Sequence, residues 1–311
     1  MPTEPARNIR ADEKPRTSPP EAHAASSPGS RVDAHVGRYA ARAKDMAASE
    51  IRALFAVAAR PEIVSLAGGM PYVSALPLDA VGDMAGQLVA QRGAVALQYG
   101  PAQGDPALRE GICEMMALEG IHAHPDEVVV TVGSQQALDL ITRIFVDPGD
   151  VILAEGPSYV GALGTFTSYQ ARVVHVPMDD DGLIPAALEE CIARLASQRQ
   201  RVKFLYTVPS FHNPAGVTLS AERRAEVLRI CQRADLLIVE DNPYGLLGFD
   251  GEPQRALYAD DPHSVVYLGS FSKTIAPGLR VGWAVAPPGI RDKLVLAAEA
   301  AVLCHSSRRS S

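Results

Sequence analysis

At 311 residues, with 47% hydrophobic and 21% charged side chains, the chain exceeds an average domain and can bury a large core, so one large domain with extra segments is the expectation. The net charge of −7 is spread along the chain without a basic stripe, which argues against nucleic acid or anionic lipid as a partner and for small molecules. No stretch reaches about 18 uninterrupted apolar residues and no basic-then-apolar leader opens the chain, so no membrane partner and a cytoplasmic location are expected.

Residues 1–33 are rich in Pro, Ser, Ala and charge (Thr17-Ser18-Pro19-Pro20, Ser26-Ser27-Pro28-Gly29-Ser30) and read as a disordered tail, because they cannot bury enough apolar area to offset chain entropy. A segment over 34–95 follows. In it the spacing of Ile51, Leu54, Phe55 and Val57 predicts a helix, and a loop opens at Arg60-Pro61. From 96 to 311 short β-branched runs alternate with helical stretches. The predicted strands are Val128–Thr131, Val151–Ala154, Arg172–Pro177, Phe204–Val208, Leu236–Glu240, Val265–Leu268 and Val281–Ala286; predicted helices include Gln135–Phe145, Pro185–Leu195, Ala221–Arg233 and Arg291–Leu303. This alternation predicts an α/β domain whose seven-stranded, mostly parallel sheet binds its ligand at the carboxyl ends of the strands. Only about a dozen residues, with Pro277-Gly278 among them, separate the last two strands, too few for a crossover helix, so one of that pair is expected to run antiparallel. The cysteines at 113, 191, 231 and 304 form no metal-type spacing and read as ordinary reduced thiols.

Chemistry concentrates at the predicted strand ends. Ser270-Phe271-Ser272-Lys273, with Arg280 seven residues past the lysine, puts one amine beside two hydroxyls and a guanidinium able to grip a phosphate, as an aldehyde cofactor carrying a phosphate requires. A P-loop would need Gly before the lysine, where Ser272 stands. The string also fits S-x-x-K, but neither S-D-N nor K-T-G follows, and a plain surface lysine is the bland alternative. Val132-Gly133-Ser134-Gln135 predicts a tight turn with Ser134 capping a helix whose N-terminus suits an anion. Asp241, before Asn242-Pro243-Tyr244, sets a carboxylate just past a strand, where it could keep a pyridine nitrogen protonated or simply cap the turn. Asn213, in His212-Asn213-Pro214-Ala215-Gly216, and Tyr244 could donate to a phenolic oxygen; Asn-Pro-x-Gly is also an ordinary turn signal. Tyr159, after Gly156-Pro157-Ser158, could stack on a flat ring or be half-buried structure.

Together these motifs, from about Ser49 to Leu303, resemble the class I/II aminotransferases of pyridoxal-phosphate fold type I, the aspartate-aminotransferase superfamily, in its 2-aminoadipate, kynurenine and aromatic aminotransferase branch. The resemblance implies pyridoxal 5'-phosphate as cofactor. It implies Lys273 as the Schiff-base lysine, Asp241 as partner of the pyridine nitrogen, Asn213 and Tyr244 on the phenolic oxygen, and Tyr159 stacked on the ring. Ser134, the Gln135 backbone, Ser270, Ser272 and Arg280 would form the phosphate cup. Ser65-Leu66-Ala67-Gly68-Gly69-Met70-Pro71 resembles the substrate-covering loop, placing Gly69 at the substrate, and Tyr99 of Gln98-Tyr99-Gly100 resembles a tyrosine that reaches a partner's site in a homodimer. Arg52 is a candidate substrate contact. The implied reaction moves an amino group from an L-amino acid to a 2-oxo acid.

Members of this family continue into a small C-terminal domain that supplies an arginine for the substrate carboxylate; after Leu303 this sequence reads Cys304-His305-Ser306-Ser307-Arg308-Arg309-Ser310-Ser311, and that domain is expected to be missing. A catalytically impaired, cofactor-binding remnant is therefore one alternative, and the effector domain of a GntR-type regulator is a second, for which the 33-residue tail is short and not basic.

Overall fold

The computed structural model describes residues 33, 35–43, 57, 60, 62–64 and 69–304. Two compact units divide after Tyr39. In the first, the Asp33 carboxylate accepts the His35 N–H (2.8 Å) ahead of a 3-10 turn, Val36–Arg38, that buries no residue. The helix expected around Ile51–Val57 and the loop residues Ser65–Gly68 lie almost wholly outside the described residues.

The second unit is built on a sheet of eight strands: β1 (Val128–Thr131), β2 (Val151–Gly156), β3 (Arg172–Asp179), β4 (Gly182–Leu183), β5 (Val202–Thr207), β6 (Leu237–Asp241), β7 (Val265–Ser270) and β8 (Gly282–Val285), in the order β1-β8-β7-β6-β5-β2-β3-β4. All seven predicted strands are present; the eighth, β4, is a two-residue hairpin return against β3 that is too short to carry a periodic pattern. Parallel pairing runs from β3 through β2, β5 and β6 to β7, with registers such as Ala154↔His175 and Val239↔Val266. Strand β8 is antiparallel to both β7 and β1 (Leu268↔Ala284, Val130↔Trp283), as the short connection before it requires.

Among the described residues, eight helices accompany the sheet: α1 (Leu78–Ala96), α2 (Pro106–Ala117), α3 (Gly133–Phe145), α4 (Val160–Ser168), α5 (Pro185–Ser197), α6 (Ala221–Arg233), α7 (Leu257–Asp260) and α8 (Pro288–Val302). Successive strand residues serve opposite faces. Leu153, Leu205, Ile238, Tyr267 and Val285 pack with Ile112 and Met116 of α2, Leu188 of α5 and Val227 of α6. Their neighbours Ile152, Phe204, Val239, Val266 and Ala284 pack with Leu138 and Ile141 of α3, Phe166 of α4 and Leu294 of α8. Covering both faces explains why the strands are apolar without alternation, the pattern of a buried parallel sheet. Helices α1, α2, α4 and the four-residue α7 fall where no helix is named from the sequence. Helix α1 buries none of its residues and bends at Arg92, so no periodic core face marks it. No helix of the described residues is long and apolar enough to cross a membrane.

Candidate active site

The carboxyl ends of β1, β2, β5, β6 and β7 and the start of β8, all at the same edge of the sheet, carry the residues of interest. Strand β7 ends in Ser270, and the connection to β8 is tied at its base by Phe271 N–H donating to the Val281 carbonyl (3.1 Å). Ser270 Oγ accepts the Ser272 N–H (3.0 Å) and pairs with Ser272 Oγ (2.8 Å), so the two hydroxyls lie side by side. Lys273 Nζ donates to the Gly69 carbonyl (2.7 Å), and burial lowers the pKa of its ammonium group. This contact joins the lysine to the one described residue of the sequence-predicted covering loop's double glycine, and Gly69 holds a φ of +55° there.

Farther along the same connection, Arg280 adopts a left-handed backbone (φ +53°) and lays its guanidinium over the turn between β1 and α3. Nη2 donates to the Val132 carbonyl (3.1 Å) and Nη1 to that of Pro277 (3.4 Å). A Cβ on Gly133 (φ +72°) would stand 2.5 Å from Nη2, and a Cβ on Gly282 would stand 2.5 to 2.7 Å from the Gly133 and Ser134 backbone. Both glycines are demanded by close approach. Ser134 does not cap α3 as the sequence suggests. The positive φ of Gly133 starts the helix there, Val132 takes the capping position, and the Val132 N–H donates to the Gln136 side chain (2.7 Å). Ser134 thus sits in the first turn, where helical N–H groups lack intrahelical acceptors. The Gln135 side chain is held by Thr165 Oγ1 (2.7 Å) and the Gly161 carbonyl (3.3 Å), which leaves its backbone N–H as the group it can offer an anion.

On the adjoining strands, Asp241 ends β6 at 3% exposure. Its Oδ2 accepts the Tyr206 hydroxyl (2.8 Å), while buried Oδ1 has no hydrogen-bond partner among the described residues. Burial pushes its pKa up to about 6, with the Tyr206 bond opposing that shift. A half-satisfied buried carboxylate costs free energy unless a donor meets it, and a protonated ring nitrogen is such a donor. Asn213 Nδ2 donates to Tyr244 Oη (3.3 Å), bringing two residues 31 positions apart to one point. Tyr159 ends the turn before α4; its ring folds over Gly161, whose Cβ would approach it to 2.5 Å, and burial followed by the charge of Asp241 raises its hydroxyl pKa. Tyr99 lies 77% exposed, and Arg52 is outside the described residues.

Several functional neighbours are not named from sequence. Tyr206 lies inside an apolar strand, and only its hydroxyl marks it. Glu155, fully buried where Val151-Ile152-Leu153-Ala154 ends, gathers the Thr207 hydroxyl (2.8 Å) and the Val208 N–H (2.8 Å). A lone acid closing an apolar run was the available signal. Glu119 accepts from Asn242 (2.6 Å) and Tyr267 (2.7 Å) across more than a hundred residues of chain, a pairing no local pattern carries.

A family model for aminotransferases of class I and II matches residues 62–308. The chain belongs to this family. It is 41% identical over 271 residues to an aromatic-amino-acid aminotransferase 1 of Thermococcus litoralis, covering 86% of this chain and 65% of that protein. It is 40% identical over 261 residues to a 2-aminoadipate transaminase of Thermus thermophilus, covering 82% of this chain and 63% of that one. A crystal structure of Pyrococcus horikoshii kynurenine aminotransferase in complex with PMP superposes with a TM-score of 0.81 at 39% identity, covering 88% of this chain and 68% of that one. The chain therefore spans just under two thirds of the length of these two curated relatives.

Proposed function

We propose that this class I/II aminotransferase chain binds pyridoxal 5'-phosphate and moves an amino group from an L-amino acid to a 2-oxo acid. The observation that carries the reading is the unpartnered, buried Oδ1 of Asp241 at the same sheet end as a half-buried lysine and an arginine over a helix N-terminus.

In this reading Ser134, the Gln135 N–H, Ser270, Ser272 and Arg280 hold the phosphate, Tyr159 covers one ring face, Asn213 and Tyr244 donate to the phenolic oxygen, and Asp241 holds the ring-nitrogen proton. The bound cofactor supplies an aldehyde that condenses with amines and a ring that accepts an electron pair. Lys273 supplies the amine. Because burial lowers its pKa, more of it is neutral at a given pH, and it is the base that takes the α-proton of the amino acid. Gly69 and Tyr99 border the substrate, and Arg52 is its third proposed contact. We include a homodimer, supported by exposed Tyr99 and by the wholly unburied helix α1, and a cytoplasmic location.

The test is the visible spectrum of the purified chain with pyridoxal phosphate, before and after an amino acid mixture, beside Lys273→Ala. A band that requires Lys273 and bleaches with amino acid, with release of 2-oxo acid, is expected. A band that forms and never responds would show cofactor binding without turnover, and absence of any Lys273-dependent band would overturn the reading.

A further inference from the structure

We infer that Glu155, acting through His212, is a positioning residue that fixes where Asn213 presents its amide, an inference that rests on the cofactor reading above. The two side chains are each 1% exposed, and His212 Nε2 lies 3.1 Å from Glu155 Oε2. His212 Nδ1 accepts the Ala215 N–H (3.3 Å), which places the ring proton on Nε2; that nitrogen is 3.1 Å from the carboxylate but out of line for a hydrogen bond, so the two groups meet by close approach. Oε2 also accepts the Val208 N–H (2.8 Å), and Oε1 the Thr207 hydroxyl (2.8 Å).

The two donors and the close-lying His212 ring belong to the end of β5 and the loop that follows it, whereas Glu155 belongs to β2, the neighbouring parallel strand. One carboxylate thus draws in Thr207, Val208 and His212, and the next residue along is Asn213. Arg224 pins the same loop from the other side, donating to the Pro209 carbonyl (2.9 Å) and Ser210 Oγ (3.0 Å), and the His212 N–H closes on the Val217 carbonyl (2.8 Å). Glu155 and Arg224 are the charged groups that hold it. Cutting the His212 contact frees the segment carrying Asn213 while leaving the strands in place.

A donor on the phenolic oxygen disperses its negative charge, so losing that donor shifts the pH midpoint at which the visible band of Lys273-bound cofactor changes. His212→Ala and Asn213→Ala are expected to move this midpoint in the same direction by about one pH unit, the equivalent of one lost hydrogen bond to a charged group. The double variant is expected to move no farther than Asn213→Ala alone, since both act on one contact. Glu155→Gln, which keeps an oxygen facing Val208 and His212, is expected to stay near wild type, and Glu155→Ala to behave as His212→Ala does. Should Glu155→Ala fail to fold, the His212 series decides.

An unmoved midpoint in His212→Ala, or strictly additive shifts in the double variant, would sink the inference and leave Glu155 a purely structural acid. A second readout needs no cofactor: amide hydrogen exchange over residues 209–216 in the cofactor-free chain is expected to speed up about tenfold or more in His212→Ala. If wild type never forms the band, the cofactor reading fails while this exchange result still tests the anchoring. Unchanged exchange would overturn the anchoring itself.

Discussion

In the proposed reading, Asp241 meets opposite demands without and with the cofactor. Its carboxyl titrates near 6 in the folded chain against 3.8 when unfolded, because burial penalises the charge. The folded state therefore holds more protons between these values, and stability is full below about pH 4 and falls as pH rises through about 6, by about 3 kcal/mol. Glu240, pushed up to about 7 by complete burial, loses stability in the same direction over a window reaching one unit higher. Asp241→Asn is accordingly expected to stabilise the cofactor-free chain by about 1–3 kcal/mol at pH 8 and by nothing at pH 3, measured by urea unfolding at the two pH values. The same change is expected to weaken pyridoxal phosphate binding at least about tenfold, because a neutral amide no longer holds the ring-nitrogen proton. A stabilisation equal at both pH values would show that the carboxylate's charge is not the cause.

At the scale of elements, the turn from β1 into α3 and the start of β8 form one packed unit in which two glycines leave room for backbone and guanidinium. Gly282→Ala is expected to cost about 1–3 kcal/mol, since its methyl would meet the Gly133 and Ser134 backbone at 2.5 to 2.7 Å, and to reduce phosphate and cofactor affinity together. Gly133→Ala adds strain at φ +72° and displaces Arg280, so it is expected to cost cofactor affinity more than Arg280→Lys does. Isothermal titration with the cofactor and thermal melts of the free chains check both. If Gly133→Ala bound as tightly as wild type, the guanidinium would have another place to rest. These glycines also mark the limit of what the sequence made legible. The strands, the reversal at β8 and the strand-end positions of Lys273, Asp241 and Asn213 follow from apolar runs and connection lengths. Ser134 reads as a cap in the sequence because the turn conformation that advances the helix start depends on Gly133 meeting Arg280, 147 residues away. Glu155 and Tyr206 carry no local signal for the same reason: their partners lie on or beyond the neighbouring strand.

Over the whole molecule, apolar surface is distributed unevenly. Helix α1 exposes Leu78, Val81, Met84, Val89 and Val95 and buries no residue, and Tyr72 and Tyr99 on either side of it are 79% and 77% exposed. Contiguous apolar patches of this kind mark association surfaces. The chain is expected to sediment as a dimer at micromolar concentration, and Val81→Glu with Met84→Glu to shift it toward monomer without changing its melting temperature by more than a few degrees. A monomeric wild type, or a double variant that still dimerises, would remove α1 from the interface.

The strand order has a temporal meaning. Among the described residues, strand β1 pairs with β8 alone, whose residues lie more than 150 positions later, so the turn carrying Gly133 and the arginine that covers it are brought together only when the two ends of the sheet sequence meet. Pairings of such long sequence separation form late and slowly. Chain assembly is therefore expected to complete the other strand-end sites before the proposed phosphate grip, so that capture of the cofactor would report the arrival of β8: a refolding protein should acquire its native circular dichroism ahead of its affinity for phosphate, with the ligand sealing the last seam to close.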